Sequence, residues 1–253
     1  MTLAYEIVGA GRNATFVHGF TQTSQSWKPL LAHLHTPLCS RLIDAPGHGL
    51  SPDGTRTLSE SGRDIVETMH TGILVGYSMG ARMSLHAALL DSVKITSLIL
   101  ISGTPGLRSD KDRTQRKDSD SELADRIEAI GVEAFIPEWL QQPLFATLPL
   151  DEVDIADRMR NTSEGLANSL RYAGTGTQSP LWDELHKITV PVLLIVGSRD
   201  TKFVQLAEEM HTYLPNSRLS IVPEAGHSVH LEKPLLVATE IDRWLLDTEK
   251  NSH

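Results

Sequence analysis

A hydroxyl becomes a nucleophile or a base only when a neighbouring group takes its proton. Three residues of this chain have the types and settings for that chemistry. Gly76-Tyr77-Ser78-Met79-Gly80 follows the apolar run Ile73-Leu74-Val75 and opens a helix candidate at Met79. This is G-x-S-x-G in the strand–turn–helix setting that holds a serine out on a tight turn. A Cβ at position 76 or 80 is expected to crowd the neighbouring strand or helix. The Ser78 hydroxyl then stands at a helix N-terminus, where the dipole favours developing negative charge. Eleven histidines are present, so composition alone does not choose the base. Position does: His227, in Glu224-Ala225-Gly226-His227, lies just past the last strand candidate. Asp200, in Gly197-Ser198-Arg199-Asp200, lies just past the strand before it. His230 follows no strand directly and reads as a packing or surface histidine.

An oxyanion needs two backbone N–H donors. Met79, after the serine, supplies one. Phe20, in the loop His18-Gly19-Phe20-Thr21 after the first buried strand, is the candidate for the other. His18 reads as a brace for that loop. His48 reads the same way in Asp44-Ala45-Pro46-Gly47-His48-Gly49-Leu50-Ser51, where glycine and proline set a tight turn. No His, Asp and Glu grouping has metal-ligand spacing, so neither a metal nor another cofactor is expected. The glycines at 9 and 11 and at 174 and 176 do not form a dinucleotide fingerprint.

The elements that must position these residues are legible as alternating patterns. Strand candidates are Ala14–Val17, Arg41–Asp44, Ile73–Gly76, Ser97–Ile101, Val192–Val196 and Arg218–Val222. Most are continuous apolar runs, as a strand covered by helices on both faces requires. Helix candidates between them are Ser26–Leu34, Thr57–Met69, Met79–Leu90, Lys202–Tyr213 and Leu235–Leu246. Thr57 with Glu60 has capping-box spacing. Such alternation gives an α/β fold with a mostly parallel sheet flanked by helices. Leu3–Val8 is expected to add an antiparallel edge strand, and the tail from Asp247 to fray.

The alternation breaks after Ser102. Helix candidates Glu122–Ile130, Val132–Leu140, Val153–Arg160 and Ser163–Tyr172 follow without a clear strand. Residues 1–102 and 191–253 are therefore expected to form the core, and 103–190 an inserted helical lid. Long insertions outside strand ends commonly select substrate.

Length and composition bound the rest. The 253 residues are 40% hydrophobic and 22% charged, enough for one well-buried core with a cap. The single cysteine, Cys39, excludes an intrachain disulfide framework. A net charge of −9 argues against nucleic-acid partners and against binding to anionic membranes. No run approaches a membrane span and the N-terminal residues do not read as a signal peptide, so a cytoplasmic protein is expected. A monomer or weak dimer is expected.

The order Ser78, Asp200, His227, the H-G-F loop and the D-x-P-G-H-G-x-S loop together resemble the α/β-hydrolase superfamily. Further segments narrow the resemblance. They are Gly80-Ala81-Arg82 beyond the serine, Ser102-Gly103-Thr104-Pro105-Gly106-Leu107 with Arg113 and Arg116 beyond it, and Trp139-Leu140-Gln141-Gln142-Pro143-Leu144-Phe145 in the lid. Gly165-Leu166-Ala167, Gly174-Thr175-Gly176-Thr177-Gln178 and Leu181-Trp182 complete them. From about Phe16 to Leu245 the chain resembles the MenH family, 2-succinyl-6-hydroxy-2,4-cyclohexadiene-1-carboxylate synthases of menaquinone biosynthesis.

That resemblance implies an α/β-hydrolase fold and a carbon–oxygen lyase. It implies a small polycarboxylate substrate, 2-succinyl-5-enolpyruvyl-6-hydroxy-3-cyclohexene-1-carboxylate, from which pyruvate is eliminated. The serine, made basic by His227 and Asp200, takes a ring proton. Arg82, Arg116 and Arg160 are implied to bind carboxylates, which arginine grips through paired hydrogen bonds. Tyr77, Trp139, Phe145 and Gln178 are implied to contact substrate; Arg113 and Arg171 are secondary candidates. Residues 103–180 hold nine Lys and Arg against 14 Asp and Glu, so a pocket must gather its few arginines locally.

The chain departs from the family at Ala81, at Gln22-Thr23 after H-G-F, and at Gln178-Ser179-Pro180, where proline is transposed. Two rival readings share the same residues, because fold does not fix function. One is a hydrolase of an ester or of a C–C bond in a meta-cleavage product; the other is a non-catalytic binding protein.

Overall fold

The computed structural model describes residues 1–51, 54–149 and 151–250. Its strands are β1 Tyr5–Val8, β2 Arg12–Val17, β3 Leu38–Ile43, β4 Gly72–Tyr77, β5 Ile95–Ile101, β6 Val192–Gly197 and β7 Ser217–Val222. They form one sheet in the order β1-β3-β2-β4-β5-β6-β7. β1 pairs antiparallel with β3, and every other pair is parallel. The central strands β4, β5 and β6 are apolar along their length because both faces are covered. One buried cluster contains Leu74, Leu98 and Leu194, and the other contains Ile73, Ile99 and Leu193. Successive side chains of one strand thus feed opposite cores.

The helices are α1 Lys28–Leu31, α2 Leu58–Thr68, α3 Met79–Leu90, α4 Asp110–Leu140, α5 Glu152–Arg158, α6 Ser163–Ala173, α7 Thr201–Tyr213, α8 Val229–Glu232 and α9 Pro234–Lys250. Thr57 caps α2 with the complete box: its side chain accepts from Glu60 N, and the Glu60 carboxylate accepts from Thr57 N. The helix expected over 26–34 is shorter: a 3-10 turn at Ser24–Trp27 runs into α1. The tail does not fray from Asp247, because α9 continues to Lys250. Asp247 accepts from Arg218 of β7 at 3.2 Å, which ties this last turn to the sheet. The rest of that expectation, residues 251–253, lies outside the described residues.

Between β5 and β6 the chain carries α4, α5 and α6, which close over their own apolar cluster, including Ile127, Phe135, Ile136, Leu166 and Leu170. The two helices expected in 122–140 are one element broken at Gly131, whose φ of 78° and ψ of 163° no other residue type adopts readily. The break turns the second half, which carries Trp139, back across Phe20 of the core.

Candidate active site

Three parallel strands end on the same edge of the sheet, and each delivers one polar group. Ser78 sits between β4 and α3 with φ 49° and ψ −105°, a strained position for a residue with a Cβ. The surroundings over-determine it. Ser78 N donates to Ile101 O of β5 at 2.9 Å. A Cβ on Gly80 would lie 2.1 Å from Val17 O, and one on Gly76 2.5 Å from Gly80 O. The crowding inferred from the pentapeptide is therefore real, and backbone atoms cause it.

His227 Nε2 lies 3.0 Å from Ser78 Oγ, and His227 Nδ1 lies 2.7 Å from Asp200 Oδ2. The other oxygen of Asp200 accepts from Phe203 N at 3.3 Å, so the first turn of α7 orients the carboxylate. The imidazole is 2% exposed and packs against Phe203 and Tyr77. Its loop is braced from both sides: Glu232 accepts from Gly226 N at 2.7 Å and from Ser228 N at 3.1 Å. Ser102, also at positive φ, donates to His227 O at 2.8 Å. This hydroxyl–imidazole–carboxylate chain can move a proton from serine to histidine while keeping the ring in one orientation.

Ser78 and His227 open into a cavity of about 240 Å³ between the sheet edge and the lid. Met79 and Phe20 line it, as do Tyr77, Trp139 and Phe145. Tyr77 has a second duty, its hydroxyl lying 2.8 Å from Ser228 Oγ. Burial raises its pKa. Trp139 and Phe145 also pack with the lid cluster, so each is both wall and lid core.

Arg82 lies one turn beyond Ser78 on α3 and reaches the cavity. It is 8% exposed, and Nη1 donates to Ala173 O at 2.8 Å. Burial and the neighbouring Arg116 push its pKa down to about 10, which leaves it a cation at neutral pH but one in need of an anion. Arg116 lines the same cavity, with Nε held by the buried Asp120 at 2.7 Å.

Arg160 is not brought to the site. It is half-exposed and bonds the buried Asp157 and Thr23, and none of the three lines the cavity. Arg158 takes its place in the wall. The two are about 200° apart around the end of α5 at 3.6 residues per turn, so only one faces inward. Arg158 is 1% exposed, with Nε on Asp154 at 2.8 Å and Nη1 on Thr21 Oγ1 at 2.5 Å. Its Nη2 is buried without a partner among the described residues. Gln178 also departs from expectation. Its loop is pinned by Leu181 N to Pro105 O and by Trp182 Nε1 to Gly106 O, so it packs on Gly106 without lining the cavity. Arg113 and Arg171 are spent on Asp110 and on Asp125 and Glu128.

Gln22 and Lys202 are wall residues that sequence reasoning missed. Gln22 accepts from Gly19 N through Oε1, while Nε2 is buried and unpartnered among the described residues. The signal available was its place two residues past H-G-F, where the chain departs from the family. His18 and His48 brace the loops beneath. His18 Nε2 accepts from Ala45 N at 2.9 Å and Nδ1 faces Gly19 O at 2.8 Å, which fixes one neutral tautomer. Burial lowers the pKa of both rings, that of His48 to about 3. Among the described residues no group of three or more His, Cys, Asp or Glu side chains could hold a metal ion. No helix of the described chain is long and apolar enough to cross a membrane.

Residues 16–240 match the model of the alpha/beta hydrolase family. A Bacillus subtilis protein provisionally named for 2-succinyl-6-hydroxy-2,4-cyclohexadiene-1-carboxylate synthase is 39% identical, over 95% of this chain and 94% of its own. This chain belongs to that synthase family of the alpha/beta hydrolases. The Salmonella arizonae 2-succinyl-6-hydroxy-2,4-cyclohexadiene-1-carboxylate synthase is 31% identical over 91% of this chain and 92% of its own. The structure of MenH from S. aureus superposes with a TM-score of 0.88 at 29% identity, covering 98% of this chain and all of the other. The likeness spans sheet and lid alike, so the arginine-bearing wall lies within the shared family architecture.

Proposed function

We propose that this enzyme is a lyase that eliminates pyruvate from 2-succinyl-5-enolpyruvyl-6-hydroxy-3-cyclohexene-1-carboxylate, giving 2-succinyl-6-hydroxy-2,4-cyclohexadiene-1-carboxylate for menaquinone biosynthesis. The observation that carries the reading is the convergence of Arg82, Arg116 and Arg158 on the cavity into which Ser78 and His227 open. The substrate bears three carboxylates, and a wall holding three guanidiniums is complementary to it. The family's named members act in the same sense.

Ser78, His227 and Asp200 form the catalytic triad in this reading. His227 draws the proton from Ser78 Oγ, and Asp200 stabilises the imidazolium. The serine oxygen takes a ring proton. The C–H electrons form a double bond to the neighbouring ring carbon, the existing ring double bond shifts one position toward the carbon bearing the enolpyruvyl group, and the C–O bond to that group breaks. The departing enolate takes a proton and leaves as pyruvate. No acyl-enzyme forms. The N–H groups of Phe20 and Met79 take the charge that develops on the succinyl carbonyl. A cytoplasmic location fits the lone cysteine and the small anionic substrate.

Pyruvate release from the enolpyruvyl substrate, followed in a coupled assay, tests the proposal. Wild-type turnover should exceed that of Ser78→Ala by at least about 10³-fold, the scale on which loss of a triad member is felt. Equal release by both proteins defeats it. A Ser–His pair at 3.0 Å can also attack an ester. Simple-ester turnover outrunning pyruvate release favours that second reading.

A further inference from the structure

Thr21 stands one residue beyond Phe20 and is the most constrained residue of its loop. It is fully buried with φ 67°, an uncommon conformation that is costly for a β-branched side chain. The loop's own turn places it there: Gln22 N donates to Gly19 O, which makes Thr21 the third residue of a β-turn, the position that takes positive φ in a type II turn. The loop closes through Gln22 N to Gly19 O at 3.2 Å and Gly19 N to Gln22 Oε1 at 3.0 Å. The lid supplies the remaining constraints. Asn161 Nδ2 donates to Thr21 O at 2.7 Å, and Asn161 Oδ1 accepts from Gly49 N at 3.0 Å. Asp157 accepts from Thr23 N at 3.2 Å and from the Thr23 hydroxyl. Arg158 Nη1 donates to Thr21 Oγ1 at 2.5 Å.

One guanidinium therefore has two audiences. Arg158 lines the substrate cavity, its Nη2 is buried without a partner among the described residues, and its Nη1 grips the strained residue next to the Phe20 N–H. We infer that Thr21 is a positioning residue that couples Arg158 to the Phe20 loop, so that a carboxylate taken by Arg158 also sets the Phe20 N–H. This inference rests on the reading of Arg158 as a carboxylate ligand and of Phe20 as an oxyanion donor. The guanidinium is planar and rigid, so an anion that reorients one edge moves the other with it. An oxyanion donor displaced by about 1 Å loses on the order of 10²-fold in rate, so a small shift is legible in turnover.

Two measurements test the coupling in ¹⁵N-labelled protein. The first follows the Phe20 backbone amide resonance during titration with succinate. The wild type and Thr21→Ser, which keeps the hydroxyl, should show a saturable shift. Thr21→Val should lose at least half of it. Thr21→Gly removes the hydroxyl and also relieves the positive φ, so it decides the matter should the valine variant not fold. The second is pyruvate release: Thr21→Val or Thr21→Gly should lower kcat about tenfold with KM changed less than about threefold, and Thr21→Ser should recover it. An undiminished Phe20 shift in the variants lacking the hydroxyl overturns the inference. So does the absence of any shift in the wild type, or a serine variant as impaired as the valine one. Failure of the wild type to release pyruvate defeats the proposed function instead, and the amide titration still decides the coupling.

Discussion

Arg158 and Arg160 are two residues apart, of one type and on one turn, yet only Arg158 enters the cavity wall. Their exchange predicts a sharp asymmetry. Arg158→Gln should lower kcat/KM for the enolpyruvyl substrate by about 10- to 100-fold, because a hydrogen bond to a charged partner contributes about 1.5–3 kcal/mol. Arg160→Gln should stay within about threefold, since neither it nor its partners Asp157 and Thr23 line the cavity. Steady-state kinetics on both variants checks this, and equal losses would restore Arg160 to the site. Ser78 shows the same dependence on surroundings. Its left-handed backbone is held by Ile101 O from one side and by the absence of a Cβ at Gly76 and Gly80 from the others.

At the scale of elements, the lid is shaped by one backbone break. Gly131 interrupts α4 at φ 78° and ψ 163°, and a Cβ there would meet nothing within 4 Å. Space is therefore not the obstacle to substitution; conformation is. Gly131→Ala should cost about 1–3 kcal/mol of stability, the cost of a side chain in that region. Chemical denaturation reads it, and a change below about 0.5 kcal/mol would mean the break is not set by this glycine. The sheet, in contrast, needs no such device. β4, β5 and β6 are buried on both faces, and their register brings Ser78, Ser102 and Asp200 to one edge.

At the scale of the whole molecule, the fold buries His48 and His230 as neutral rings. Burial pushes His48 and His230 down to about 3. The unfolded chain protonates them from about pH 6.5 downward, while the fold keeps them neutral until about pH 3. The unfolded state thus binds more protons in that window, and stability falls as pH falls from about 6.5 toward 3. Each ring contributes about 1.4 kcal/mol per pH unit there. Denaturant midpoints at pH 7 and pH 5 should show a loss of several kcal/mol. Replacing His230, which packs between Trp27 and Tyr77, by phenylalanine should flatten the slope by about 1.4 kcal/mol per unit. An unchanged slope refutes the assignment. Net charge acts at this scale too. A chain of −9 still assembles a cationic wall, because Asp120 and Asp154 each hold only one edge of an arginine that lines it.

Sequence alone determined what local pattern can determine. Apolar runs and turn residues fixed the order of strands and helices, and G-x-S-x-G with two later strand ends named Ser78, Asp200 and His227. Motifs running through the lid named the family. These signals are legible because a buried parallel strand needs a continuous apolar run and a tight turn needs glycine, whatever the rest of the chain does. Tertiary structure alone decided which cations line the cavity. The inward turn of Arg158, the retreat of Gln178 behind Gly106 and the grip of the lid on Thr21 depend on how the helices of residues 103–190 dock on the sheet. Helical phase at the end of a short element shifts by about 100° per residue. A two-residue uncertainty in the register of α5 is enough to exchange an inward arginine for an outward one.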